Sequence, residues 1–185
     1  MKKLLLHVCC APCAVYVFER LARNHDVTGF FFNPNIQPKT EYHFRKEEVR
    51  KLFREQNWPV IFGSYRPNDW FTQIEGHEDD PERGARCSIC FSVRLYETFR
   101  VAQEKNFPLV ASTLSISPYK VTAQINAAGE TLGRKFGIEF LGENFKKQDG
   151  YRIAQAMAKE HGIQHQNYCG CVFSRRERER RKSRK

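Results

Sequence analysis

The chain has 185 residues, enough for one domain with a sizeable core, since hydrophobic residues make up 41% of it and 15 residues are Phe. Its net charge is +10, and the segment 175–185 (RRERERRKSRK) carries eight basic and two acidic residues, a distribution that attracts polyanions with steep salt dependence. The opening MKKLLLHVCCAPC falls short of the about 7–15 apolar residues of a secretory segment, and no run nears the roughly 18 of a membrane span. A cytoplasmic chain outside the membrane is expected, and there the seven cysteines point to metal or catalysis before structural disulfides.

In chain order, Lys3 to Val8 reads as a buried strand, and Ala11-Pro12 opens a helix reaching Arg23, because Pro suits a first helical turn. Asp26 to Phe32 is a second strand, Asn33-Pro34-Asn35 a turn, and Thr40 to Gln56 a helix with an apolar face. Pro59 to Phe62 gives a third strand, Asn68 to Gly76 a helix, and His77 to Arg86 a polar loop. A helix carrying Cys87 and Cys90 runs to Lys105. Pro108 to Leu114 is a fourth strand, Lys120 to Phe136 a helix, Ile138 to Leu141 a fifth strand and Tyr151 to His161 a helix. The Arg/Glu alternation after Arg175 can extend a terminal helix through pairs three or four apart. Alternating strands and helices imply a three-layer Rossmann-like α/β sandwich around a mostly parallel five-stranded sheet. Ligands in such folds sit beyond the carboxyl ends of the strands. If strands one and four are neighbours, Cys9-Cys10 and Ser115 to Lys120 reach the same crevice.

Six cysteines fall in three pairs. Cys87 and Cys90, spaced i, i+3 on a helix, present both thiols on one face, and Arg83 and Arg86 beside them are expected to favour the thiolate. Cys9-Cys10-x-x-Cys13 needs the turn that Ala11-Pro12 supplies, after which a helix N-terminus offers free N–H groups to negative sulfur. Cys169-Gly170-Cys171 is too tight for an unstrained disulfide, which suits a reducible pair or two metal ligands. Cys9, Cys10, Cys87 and Cys90 make four ligands, and spacing alone leaves iron and zinc both open. Core packing is the competing reading for any single cysteine, Cys13 above all.

Five motifs carry a family resemblance: His7-Val8-Cys9-Cys10-Ala11-Pro12-Cys13; Asn33-Pro34-Asn35-Ile36 with Glu41-Tyr42; Arg86-Cys87-Ser88-Ile89-Cys90-Phe91 with Arg94-Leu95; Ser112 to Lys120; and Tyr168 to Ser174. Together they span residues 3 to 174, and the chain resembles the epoxyqueuosine reductases called QueH. One departure is Arg83-Gly84, where two glycines are expected. The resemblance implies deoxygenation of epoxyqueuosine to queuosine in tRNA, the last step of queuosine synthesis. It implies a [4Fe-4S] cluster on Cys9, Cys10, Cys87 and Cys90, a redox-active pair in Cys169 and Cys171, an additional iron ion beside the cluster, and an electron donor that the sequence does not identify. Residues 1–174 are then an α/β iron–sulfur catalytic domain and 175–185 a basic tail. Tyr119, Lys120, His7 and Tyr168 are candidate proton donors. Tyr42, Phe91, Tyr119 and Tyr168 are candidate stacking residues, and Lys120, Arg152 and the tail candidate phosphate contacts. The rivals are a zinc-stabilised RNA-binding module and a tRNA-thiolating enzyme, whose phosphate loop would have to occupy the place of Cys9-Cys10-Ala11-Pro12.

Overall fold

The structure is a computed structural model and describes residues 1–183. Five strands form one sheet in the order β3-β2-β1-β4-β5, every neighbouring pair parallel. They are β1 (Lys2–Val8), β2 (His25–Phe31), β3 (Val60–Phe62), β4 (Leu109–Ser112) and β5 (Glu139–Phe140). The helices are α1 (Ala11–Ala22), α2 (Lys39–Glu55), α3 (Pro67–Gln73), α4 (Ala85–Glu104), α5 (Thr122–Phe136), α6 (Gly150–Glu160) and α7 (Val172–Lys182). Strand one lies at the centre, and its Leu4 to Val8 are wholly buried, as a continuous apolar run inside a parallel sheet requires.

Alternation along β1 divides the core into the two outer layers. Leu4, Leu6 and Val8 cluster with residues of α1, α2 and α6, among them Phe18, Phe53 and Ala154. Leu5 points the other way, into Phe91, Leu95 and Phe99 of α4 and Ile125 of α5. Each such Leu or Phe contributes about 1.5–3 kcal/mol by leaving water. The expected three-layer architecture is the one observed.

The fourth strand ends earlier than its composition suggests. At Thr113 the chain turns into a short 3-10 segment, Thr113–Ile116, because the Ser112 hydroxyl accepts the Leu114 N–H at 3.2 Å. That early exit lifts Thr113 to Lys120 onto the carboxyl edge. The first half of the chain builds the sheet outward from β1 through β2 to β3, and the second half from β4 to β5 on the other side. The switch point therefore lies between β1 and β4, and the two segments expected in one crevice flank it. The basic segment from Arg175 continues α7 in helical conformation, and its last two residues, Arg184 and Lys185, lie outside the described residues.

Candidate active site

Three helices begin at the carboxyl edge of the sheet, and each opens on cysteine. Cys10 is the residue before the first turn of α1, Cys87 and Cys90 occupy the first two turns of α4, and Cys171 precedes the first turn of α7. All seven cysteines line one cavity of about 480 Å³. The unsatisfied N–H groups of a helix start favour negative charge, so this is where thiolates are held at least cost.

Around Cys9 the sulfurs crowd. Cys9 Sγ lies 3.5 Å from Cys10 Sγ, and the three sulfurs of Cys9, Cys10 and Cys13 all lie within 4.8 Å of one another. Thr113 fixes this corner: its hydroxyl accepts the Cys9 N–H at 3.0 Å and donates to Cys9 Sγ at 3.2 Å. Hydrogen bonds from the Cys10 and Cys13 thiols pull the Cys9 pKa well below the ordinary thiol range. Cys10 gains from a bond to Cys13, yet its bond to Cys9 and its burial hold it up at about 12. Cys13 is pushed up by donating to both. Within the triad, Cys9 is thus the thiol that loses its proton most readily.

Cys87 and Cys90 behave differently from expectation. Burial pushes the Cys87 thiol up to about 11, against the backbone N–H of Arg83, which reaches its sulfur at 3.3 Å. Arg86 does little for it, because its guanidinium turns away to the carbonyls of His77, Glu78 and Asp80 and lies over the Phe173 ring at 4.7 Å. Three carbonyls at close range outcompete one thiol. Burial pushes the Cys90 thiol up as well, opposed by Arg94, one turn further along α4, whose charge favours the thiolate forms of Cys90 and Cys9. Arg94 is 3% exposed and binds the Asn33 carboxamide oxygen.

Cys169 and Cys171 lie with sulfurs 3.5 Å apart. The turn between them rests on the Asn33–Pro38 segment and α2. The Gln37 N–H donates to the Gly170 carbonyl at 2.8 Å, the Gln37 side-chain oxygen accepts the Val172 N–H at 3.2 Å, and Arg45 donates to the Tyr168 carbonyl at 3.2 Å. Only glycine fits: Gly170 has φ +109°, and a methyl group on it would stand 2.8 Å from Ile36 Cγ1. The Cys171 thiol donates to Cys169 and holds its pKa well below the usual range, while Cys171 itself is pushed up. Within this pair, Cys169 is the thiol that loses its proton more readily. Half-buried Lys120 lines the same cavity; burial works against its ammonium, but the thiolates of Cys9 and Cys169 hold its pKa above the ordinary value.

The sulfur-rich wall suits a thiolate-bound metal group. Beside the sulfurs, both amide atoms of Asn35 are buried on the cavity wall with no hydrogen-bond partner among the described residues, and the side chains of Trp70 and Arg94 face Cys90, whose thiolate form both favour. A buried polar group left bare costs about 1–3 kcal/mol, and Arg94 has no carboxylate partner among the described residues. Donors and buried cations around deprotonable sulfurs match an anionic occupant.

The other sequence candidates separate. Lys120, Tyr119 and Tyr168 line the cavity. His7 sits beneath it, fully buried, with Nδ1 3.0 Å from Ser112 Oγ and Nε2 3.2 Å from the Phe32 carbonyl. Burial, with Arg94 nearby, lowers its pKa to about 3, so it is a neutral brace between strands and not a proton donor. Tyr42 stacks on Tyr65 at 4.0 Å in the core, and Phe91, on α4, borders the cavity but is 4% exposed and packed in the core cluster of Leu5 and Leu95, so neither presents a free ring face to a ligand. Arg152 pairs with Asp149 on the surface, away from the cavity lining. Thr113, Trp70, Asn35, Arg45 and Arg94 carried no functional reading in the sequence. Arg94 had a signal: at i+4 from Cys90 and i+7 from Cys87 it shares their helical face.

Fold and site together define a doubly wound α/β protein with a cysteine-lined cavity, suited to a metal, at its switch point. The family model described as epoxyqueuosine reductase QueH matches residues 4–177, and the chain belongs to that family. Among its relatives, the epoxyqueuosine reductase QueH of Streptococcus pyogenes is 40% identical over 92% of this chain and 69% of its own length. That of Thermotoga maritima is 37% identical over 96% and 93%. In fold, the chain resembles the U34-tRNA thiolase NcsA from Methanococcus maripaludis, solved with its [4Fe-4S] cluster (TM-score 0.59, 11% identity), over 94% of this chain and only 61% of that one. It also resembles a predicted subunit of tRNA methyltransferase from Methanocaldococcus jannaschii (TM-score 0.58, 10% identity), over 88% and 89% of the two chains.

Proposed function

We propose that this chain performs its family's reaction, removing the epoxide oxygen of epoxyqueuosine in tRNA to give queuosine, with Cys9, Cys10, Cys87 and Cys90 holding a [4Fe-4S] cluster and Cys169/Cys171 acting as a redox pair beside it. The observation that carries this is the convergence of cysteines from three separate helix starts on one cavity. When bound, such a cluster supplies single-electron transfer, and an additional iron ion next to it supplies Lewis acidity toward oxygen.

The chain's own residues account for the rest. Converting an epoxide to an alkene and water takes two electrons and two protons. Oxidation of the Cys169/Cys171 dithiol to a disulfide releases that number of each, and an external electron donor then restores the dithiol. Gly170 and the Gln37 anchors hold the two sulfurs at a separation from which a disulfide closes with small movement. Lys120, which lines the cavity and whose ammonium form the charges of Cys9 and Cys169 favour, is the candidate to deliver a proton to the departing oxygen. Trp70, Asn35 and Arg94 offer donors to anionic sulfur or to the substrate's oxygens. Residues 1–174 form the catalytic part and 175–185 a basic tail. No helix among the described residues is long and apolar enough to cross a membrane, in keeping with work on tRNA in the cytoplasm.

Anaerobically purified protein is expected to carry iron and acid-labile sulfide, and to turn epoxyqueuosine in tRNA into a nucleoside lighter by one oxygen. Cys9→Ala or Cys87→Ala is expected to abolish iron and sulfide, whereas Cys169→Ala retains both and loses turnover. Zinc without sulfide would show instead that the cysteines serve folding in an RNA-binding module.

A further inference from the structure

Beyond the cysteines, the cavity has a rim. One stretch of it is α7, whose lining residues are Ser174, Glu177, Arg178 and Arg181. These fall at i, i+3, i+4 and i+7, a single face of the helix, continuous with Cys171 at its start. Arg178 and Arg181 are exposed. Arg178 donates to the Asn167 carbonyl, and Arg181 pairs with Glu177 at the surface, a bond of small net value. Arg176 and Arg180 lie on the opposite face of the same helix, roughly 200–240° around from Ser174 at about 100° per residue.

A second stretch of rim is the Pro118–Lys120 turn. Tyr119 is 68% exposed, and its ring stacks on no other aromatic ring among the described residues. Its backbone, in contrast, is pinned. Arg83 donates to the Tyr119 carbonyl at 3.2 Å and to the Pro118 carbonyl at 3.4 Å, and the Ser117 hydroxyl accepts the Tyr119 N–H at 3.3 Å. A rigid turn presenting a free aromatic face at the mouth of a cavity has the form of a base-stacking platform.

We propose that the cavity-facing row of α7 and the ring of Tyr119 form an RNA-docking rim. Arg178 and Arg181 take backbone phosphates, and Tyr119 stacks on a base beside the nucleotide that enters the cavity. The proposal rests on the reading that the substrate is a nucleotide within RNA. The partner class follows from the chemistry of the rim. Residues 174–183 (SRRERERRKS) contain no apolar side chain, so α7 beyond its first two residues offers neither a protein-binding stripe nor a face that enters lipid. Guanidinium groups match phosphate in geometry and charge, and single-stranded loops are the part of RNA whose bases splay out onto aromatic rings.

The test is fluorescence anisotropy with a labelled, unmodified anticodon stem-loop over a range of salt, a measurement that needs no turnover. Arg178→Ala/Arg181→Ala is expected to raise Kd about ten-fold and to flatten the log–log salt slope by about 1.4, since each lost phosphate contact in a single strand removes about 0.7. Arg176→Ala/Arg180→Ala, with the same loss of charge on the outward face, is expected to change Kd less than about three-fold. Arg178→Lys/Arg181→Lys is expected to restore binding, and Tyr119→Phe to retain the affinity that Tyr119→Ala loses by about ten-fold. Equal losses from the two faces of α7, or no loss from either, would overturn the proposal, as would a wild-type chain that binds no RNA. Tight, face-dependent binding together with an unchanged nucleoside would count against the reductase reading and leave the rim standing.

Discussion

Replacing Gly170 by alanine adds one methyl group to the turn between Cys169 and Cys171, and the structure sets its cost. The methyl carbon would stand 2.8 Å from Ile36 Cγ1 and 3.2 Å from Arg45 Nη1, at a backbone φ of +109° that a side chain disfavours. Backbone strain of this kind costs about 1–3 kcal/mol, and overpacking about 1–3 kcal/mol more. Against this stand the turn's anchors: the bonds of Gln37 to Gly170 and Val172, of Arg45 to Tyr168, and of the Tyr168 hydroxyl to the Gln37 carbonyl. At about 1 kcal/mol each they sum to the same size as the strain. Gly170→Ala is therefore expected to detach the turn while the sheet stays folded. Cysteine alkylation read by mass spectrometry should show Cys169 and Cys171 reacting at least about ten-fold faster, the equivalent of about 1.4 kcal/mol of local opening, with Cys9 and Cys10 unchanged. Gly162, at φ +62° with nothing within 4 Å, is the control: Gly162→Ala should cost about 1–2 kcal/mol and leave all seven thiols as they were. Unaltered alkylation of Cys169 and Cys171 in Gly170→Ala would refute the argument that close approach to Ile36 and Arg45 holds the pair.

Two further predictions concern protons. His7 has a folded-state pKa depressed to about 3 by burial, so the unfolded chain takes up its proton first as pH falls. Its contribution is intact above about 6.5 and is lost progressively below, by about 2 kcal/mol between pH 7 and pH 5. Urea unfolding of His7→Gln should show a correspondingly smaller loss over that range, and identical pH dependence would sink the assignment. In metal-free protein the depressed pKa of Cys169 and the raised pKa of Cys87, about 11, predict that Cys169 is alkylated at pH 7 while Cys87 reacts only as the solution becomes strongly alkaline. Equal rates at pH 7 would show that Cys171 does not donate to Cys169.

Much of this site was legible because its signals are local. The run from Leu4 to Val8, the turn forced by Ala11-Pro12 and the i, i+3 spacing of Cys87 and Cys90 each act within a few residues, and each produced the expected element. Charges were not legible from proximity in sequence. Arg86 adjoins Cys87 yet spends its guanidinium on three carbonyls of the preceding loop, whereas Arg94, seven residues away, shares the cysteine's helical face. His7, two residues before Cys9, lies inside β1, where Ser112 Oγ and the Phe32 carbonyl take both ring nitrogens below the cavity.

The cysteine spacing, the strand and helix periods and the five motifs were in the sequence by themselves, and they determined the fold class and the family. Tertiary structure alone decided which thiol carries charge, which residues brace the sulfurs and what stands at the cavity's rim. Those outcomes turn on burial and on what meets the end of β1: the segment after β4 and the start of α7 lie about a hundred residues or more from Cys9 along the chain. Hydrogen bonds and desolvation act over a few ångströms, and only folding sets distances of that size between such distant segments.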